Sequence, residues 1–238
     1  DFSRKAQIVN YDSHRAMMEA WNSKMWNSTS GLLLWMSHPA WPSMVWQIYS
    51  WDYETFGSFY GCRKACEPIH IQKNLDDQKV VVVNTSLKEI KGAKVIYEVY
   101  SLEGKSLFKR TSKLNVLANG LTECFVQDKP ISASGVYMER LILQDKRGKV
   151  ISINDYWQDN GEGDFQGFNA LEEASINCKL IRQKESQIQI ELQNTGAMPA
   201  LALKLNVREA DTDKRILPAY ASDGYFNLLP GEKRTVTV

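Results

Sequence analysis

Residues 31–47 read GLLLWMSHPAWPSMVWQ. Leu32 to Trp35 form a short apolar run bounded by breakers. That pattern predicts a strand over 32–36 buried on both faces. A Pro-bearing loop follows, carrying Trp41 and Trp46. Large aromatics in a loop at the end of a buried strand make a candidate ligand surface. Before the run, Ile8, Tyr11, Met17, Met18, Trp21 and Met25 recur at spacings of three and four, which predicts a helix over 3–27. After the loop, Phe56 to Cys66 reads as a second helix, stopped by Glu67-Pro68. Helix, buried strand, loop and helix are the alternation of an α/β layer or barrel. One strand cannot make a sheet, so this piece is expected to be the end of a larger α/β unit.

From Ile69 the pattern changes. Strand-like runs at 80–83, 93–100, 114–117, 122–126, 136–143 and 150–156 are separated by turn signals such as Glu103-Gly104, Asn119-Gly120 and Arg147-Gly148. The spacing suits an antiparallel sandwich. An internal repeat follows. VVVVNTS, ending at Ser86, is echoed by IELQNTG, ending at Gly196, with Asn84 and Asn194 offset by 110. LANGLTECFV (117–126) is echoed by LLPGEKRTVTV (228–238), with Gly120 and Gly231 offset by 111. Two matches at nearly one offset predict two copies of one sandwich. The expected division is 1–67, 68–157, a Gly-bearing linker or lid at 158–175, and 176–238. On this alignment the second copy is expected to be truncated, without the equivalents of its last one or two strands.

Composition excludes several classes. The net charge of the 238 residues is +1, so nothing points to nucleic acid or an anionic membrane. No apolar run approaches the roughly 18 residues of a membrane-spanning helix. Cys62, Cys66, Cys124 and Cys178 form no disulfide framework; Cys62 and Cys66, four apart, resemble at most half a metal site. His14, His38 and His70 show no metal-ligand spacing, and only His38 lies in the aromatic loop. Asp52 and Glu54 are an imaginable carboxylate pair, but glycoside hydrolysis needs carboxyls roughly 5–9.5 Å apart across a pocket, and i, i+2 residues seldom face each other so. Asn27-Ser28-Thr29 and Asn84-Thr85-Ser86 fit a glycosylation acceptor, though both sit at turns. Flat rings with nearby Ser37, Ser43 and Gln47 can stack on a sugar face and bond its hydroxyls. The plainer alternative is that Trp41, Trp46 and Trp51 pack the bottom of a core or an interdomain seam.

The stretch from Gly31 to Gln72 resembles the end of the catalytic barrel in family 2 glycoside hydrolases, in the branch of exo-β-glucosaminidases and β-mannosidases. The matching residues are Trp35, Trp41-Pro42-Ser43, Tyr60-Gly61 and Lys64-Ala65-Cys66-Glu67-Pro68. Less specific matches continue through DDQKVVVVNTS, Asp155-Tyr156-Trp157 and LLPGE. The resemblance implies a mainly β chain: two immunoglobulin-like β-sandwiches preceded by a helix-strand-helix remnant of a (β/α)8 barrel. It implies a retaining exo-glycosidase acting on β-mannosides or β-glucosaminides, with no metal or other cofactor. The two catalytic glutamates would lie on earlier barrel strands, outside this sequence, leaving the chain alone inactive. Trp35 maps onto the tryptophan that floors the sugar site; His38, Trp41 and Trp46 are lesser candidates for substrate contact. The implied partners are a carbohydrate substrate and the remaining barrel of the same polypeptide, with neither nucleic acid nor membrane, and the implied compartment is periplasmic or extracellular. A rival reading is a carbohydrate-binding or adhesive sandwich module, with Tyr220, Tyr225 and Phe226 as its aromatic row. A third, a structural scaffold capped by residues 1–67, is disfavoured by that segment's apolar load.

Overall fold

A computed structural model describes residues 2–43, 47–127, 135–159, 161 and 163–238. The chain forms two compact units, one of Asp1–Arg15, Leu33–Cys62 and Glu172–Val238, the other of Ala16–Leu32 and Arg63–Leu171. Both expected helices are present: α1 spans Phe2–Asn22 and α2 spans Gly57–Ala65. No helix among the described residues is long and apolar enough to cross a membrane.

Among the described residues, the unit containing 63–171 holds a seven-stranded immunoglobulin-like sandwich. Strands β1 (Ile69–Lys73), β2 (Lys79–Asn84) and β5 (Gly120–Val126) form one antiparallel sheet in the order β1-β2-β5. Strands β3 (Ile90–Ser101), β4 (Ser106–Val116), β6 (Tyr137–Gln144) and β7 (Val150–Gln158) form the other, in the order β4-β3-β6-β7. Between them lie Ile71, Val80, Val82, Val95, Tyr97, Val116, Leu141 and Leu143, all fully or almost fully buried. The unbroken valine run of β2 has a simple cause. Val80 and Val82 face this core, while Val81 and Val83 lie opposite Gln72 and His70 on the face covered by the end of α1. A strand covered on both sides has no solvent face to alternate toward. After β7, a short 3-10 turn at Gln166–Ala170 is fastened to the sandwich, with Phe168 edge-on to Trp157 at 5.1 Å. The expected linker thus carries packed structure of its own.

The other unit holds the second copy. Strands β8 (Ile176–Lys184), β9 (Gln187–Asn194) and β12 (Lys233–Thr237) form a sheet in the order β8-β9-β12, and β10 (Ala200–Leu203) pairs with β11 (Phe226–Leu228). The three-stranded sheet repeats the β1-β2-β5 order of the first copy. Leu192, Val236, Ala200, Phe226 and Leu228 form its core, joined by Tyr11 of α1 and Tyr60 of α2. Among the described residues the second sheet of this copy has two strands where the first copy has four.

The repeat extends to single hydrogen bonds. Asn84 is buried; its Nδ2 donates to the carbonyls of Lys88 (2.9 Å) and Leu117 (2.8 Å), and its Oδ1 accepts from Ser86 N at 3.0 Å. Asn194, equally buried, donates to Met198 (2.8 Å) and Leu228 (2.9 Å) and accepts from Gly196 N at 3.0 Å. Thr85 N reaches Pro68 O and Thr195 N reaches Ser175 O, both at 2.9 Å. A side-chain amide with two donors and an acceptor can close such a corner by itself, which explains the NT pair at the end of both strands.

The expected buried strand at 32–36 is corrected. Among the described residues no strand pairs with it, and Leu33 is 96% and Trp35 79% exposed. Extended backbone becomes a strand only through a neighbour's hydrogen bonds. Met36, with φ of +56°, then turns the chain out of the extended region.

Candidate functional site

The aromatic loop is held in place by the helix pair. Gly57 and Gly61 let α2 lie directly on α1: a Cβ at Gly57 would collide with the Gln7 carbonyl oxygen, and one at Gly61 with that of Tyr11. Gly57 N also donates to Gln7 Oε1 at 2.8 Å. Leading into α2, Thr55 Oγ1 bonds Tyr60 OH at 3.0 Å, and Tyr49 and Thr55 form an antiparallel bridge. Tyr49 N reaches back to Ser37 O at 3.2 Å, tying the two halves of the loop together.

On that frame the His38 ring stacks on Tyr53 with centroids 4.3 Å apart, and its Nε2 donates to Trp51 O at 3.2 Å. The structure therefore brings together His38, Trp51 and Tyr53. Trp35 and Trp41 are 79% and 68% exposed. Trp41 is not part of a hydrophobic core of this chain. Trp46 lies outside the described residues. Tyr53 escaped the sequence reading because nothing in a lone tyrosine between two acids signals that a histidine fifteen positions away will stack on it.

Asp52 and Glu54 are a clasp. Glu54 accepts from Lys204 at 2.6 Å and from Arg215, whose guanidinium also reaches Asp52 at 3.3 Å. Asp52 also accepts a short hydrogen bond from Ser50 Oγ. A general acid or base needs a carboxylate free to exchange a proton with substrate; both of these grip cations. Burial pulls the Lys204 ammonium below its ordinary pKa.

The sandwich tyrosines are placed differently from a binding row. Phe226 is core. Tyr225 leans on Tyr11 at 6.0 Å and Tyr60 at 5.8 Å, and burial and Tyr60 push its hydroxyl up to about 12. Tyr220 keeps an exposed face while meeting Tyr49 edge-on at 6.2 Å. Cys62 is buried within α2 and Cys66 is exposed beyond its end, so the two do not share a face. Among the described residues no three His, Cys, Asp or Glu side chains are grouped to hold a metal ion. Of the two acceptor-like triplets, Asn27 is exposed, whereas the buried Asn84 spends both amide hydrogens on the carbonyls of Lys88 and Leu117.

Each immunoglobulin-like domain matches a known family of domains. Residues 76–160 match the mannosidase Ig/CBM-like domain, and residues 154–238 match the exo-β-D-glucosaminidase Ig-fold domain. Over its whole length the chain is 29% identical to an exo-β-D-glucosaminidase of Amycolatopsis orientalis, covering 26% of that protein. It is 27% identical to a mannosylglycoprotein endo-β-mannosidase of Lilium longiflorum, covering 32% of it. Among solved structures, the A. orientalis exo-chitosanase CsxA in complex with PNP-β-D-glucosamine superposes with a TM-score of 0.88 at 28% identity, over all of this chain and 31% of the enzyme. A β-D-mannosidase from Dictyoglomus thermophilum shares the fold, with a TM-score of 0.72 at 20% identity over 97% of this chain and 26% of its own. The chain is thus similar over its whole length to an exo-β-D-glucosaminidase and an endo-β-mannosidase, and spans about a third or less of theirs.

Proposed function

We propose that this chain is the C-terminal part of a retaining glycoside hydrolase of family 2 acting on β-linked glucosaminides or mannosides, and that the catalytic carboxylates belong to a part of the enzyme outside these residues. One observation carries the reading: similarity to glycosidases runs through the whole chain, helix pair and both sandwiches alike, rather than through one portable domain. The local chemistry supports it. Asp52 and Glu54 are committed to cations, and no other carboxylates in the aromatic loop offer an acid–base pair. The exposed apolar run at 33–36 is the surface that a neighbouring part of the same enzyme would cover, leaving Trp35 to stack on the sugar. The exposed strand β8 likewise fits a second sandwich completed by further strands.

Incubation of the chain with p-nitrophenyl β-glucosaminide and β-mannoside tests this: no turnover is expected, and clear hydrolysis by the chain alone overturns it. In the complete enzyme, Trp35→Ala lowers kcat/KM by about 10- to 100-fold, the scale of one lost ring stack and its desolvation. A second reading is favoured by the Ig/CBM-like description of the domain at 76–160. If glycan-array binding persists after deletion of residues 1–67, the sandwiches act as a carbohydrate-binding module in their own right.

A further inference from the structure

His70 opens β1 with its ring wholly buried, and both of its nitrogens meet carboxylates. Nε2 lies 2.9 Å from Glu19 Oε1, near the end of α1; Nδ1 lies 3.2 Å from Glu67 Oε2, in the turn after α2. A neutral imidazole carries a single N–H, so it can donate to one of these and must present a lone pair to the other. The surroundings leave neither carboxylate spare. Glu19 Oε1 also accepts from Asn154 Nδ2 at 2.6 Å, and Oε2 from Tyr156 OH at 2.9 Å. Glu67 Oε1 accepts from Lys64 at 2.7 Å, and Oε2 from Ser152 Oγ at 2.6 Å. Asn154 Nδ2 also stands 3.3 Å from His70 Nε2, but its two shortest contacts, Glu19 Oε1 at 2.6 Å and Tyr156 OH at 2.8 Å, already take up its two hydrogens.

The charges facing the ring come from every side. α1 supplies Glu19; the segment after α2 supplies Glu67, backed by Lys64; β7 supplies the uncharged Ser152 and Asn154 and the hydroxyl of Tyr156. Gln72, next on the same face of β1, is neutral and bonds Glu19 O and Asn74. The next ion pair, Lys73 with Glu139 at 2.7 Å, points to the other face of β1 and neutralises itself. The set balances only with a cationic ring: two carboxylates against Lys64 and His70.

We propose that His70 is a charged latch: the end of α1 and the turn carrying Glu67 stay seated on β1 and β7 only while the imidazole is doubly protonated, and alkaline pH unseats them. Burial opposes the charge, but the hydrogen bonds and charges of Glu19 and Glu67 outweigh it and raise the His70 pKa above its ordinary value. A group whose pKa is raised by folding contributes fully below the unfolded value. That contribution disappears as pH rises through the folded one, so the device opens on the alkaline side.

The test uses the full chain labelled with 15N, following the imidazole nitrogens and the backbone amide protection factors across a pH series. At about pH 6.5, the ordinary imidazole value, both His70 nitrogens should carry protons in most molecules. Where one proton is lost, protection of amides 16–22 and 69–71 should fall by about tenfold or more, while β3 and β6 keep theirs. A His70 with one bare nitrogen in most molecules at about pH 6.5 overturns the proposal, as does its titration without any change in those amides. Glu67→Gln, which keeps the size of the side chain, should lower the His70 midpoint by about one unit; an unmoved midpoint also overturns it.

Discussion

Strands β1 and β8 hold the same place in the two sandwiches, yet they live in opposite surroundings. β1 is buried along nearly its whole length, between a hydrophobic core on one face and an ionic cluster from α1 on the other. β8 is exposed from Asn177 to Lys184, with Leu180 at 56%. The Asn84 and Asn194 corners that follow share the same arrangement of two carbonyl acceptors and one backbone N–H donor, Asn84 adding only the Ser86 hydroxyl. Local side-chain chemistry therefore reproduces the turn in either setting, while the value of the strand before it depends on what covers it.

That contrast can be broken most sharply at the strands themselves. Ile71→Ala should destabilise the first sandwich by about 2–4 kcal/mol, as expected for a core aliphatic truncated to leave a cavity. Leu180→Ala should change the second by under about 0.5 kcal/mol. Amide exchange read separately on β2 and β9 would show it, and equal losses would sink the contrast. The corners should behave in the other way. Asn84→Ala and Asn194→Ala should each cost about 2–3 kcal/mol, because each leaves two carbonyls without their donor. A cost confined to one copy would mean that the shared bonds do unequal work.

A smaller effect separates the copies by pH. Burial raises the Glu67 carboxyl, but the hydrogen bond from His70 and the charges of Lys64 and His70 more than reverse this, holding it at about 2. The stability it confers is present above the ordinary carboxylate value and is lost as pH falls through about 2. Between about pH 5 and 2 the first sandwich should therefore lose about 1–2 kcal/mol that Glu67→Gln does not lose. The second copy has the exposed, uncharged Asn177 in the place of His70. Trp35→Ala should be the mildest change, under about 0.5 kcal/mol in the stability of this chain, because its ring is mostly in water here. Denaturant titration would detect anything larger.

The two-sandwich architecture was legible because β strands advertise themselves locally. VVVVNTS and IELQNTG carry both the apolar run and the residue that ends it, and the 110-residue offset between their asparagines reappears as matched hydrogen bonds. Residues 32–36 misled for a physical reason. An apolar run states that a segment seeks cover, not which segment provides it. The clasp at Asp52 and Glu54 was unreadable for the complementary reason: Lys204 and Arg215 lie 150 and 161 residues from Glu54, and no local spacing records such a pairing. His70 looked like the plain start of a strand because its partners come from α1, the turn after α2 and β7.

The α1–α2 seam has a consequence of another kind. At Gly57 and Gly61 the space for a first side-chain carbon is already filled by the backbone of Gln7 and Tyr11. Saturation mutagenesis of the chain would show these two positions as blank rows, intolerant even of alanine. Most coding changes there would erase the seam rather than adjust it, so the two helices can drift in sequence along their outer faces but have one alignment to inherit.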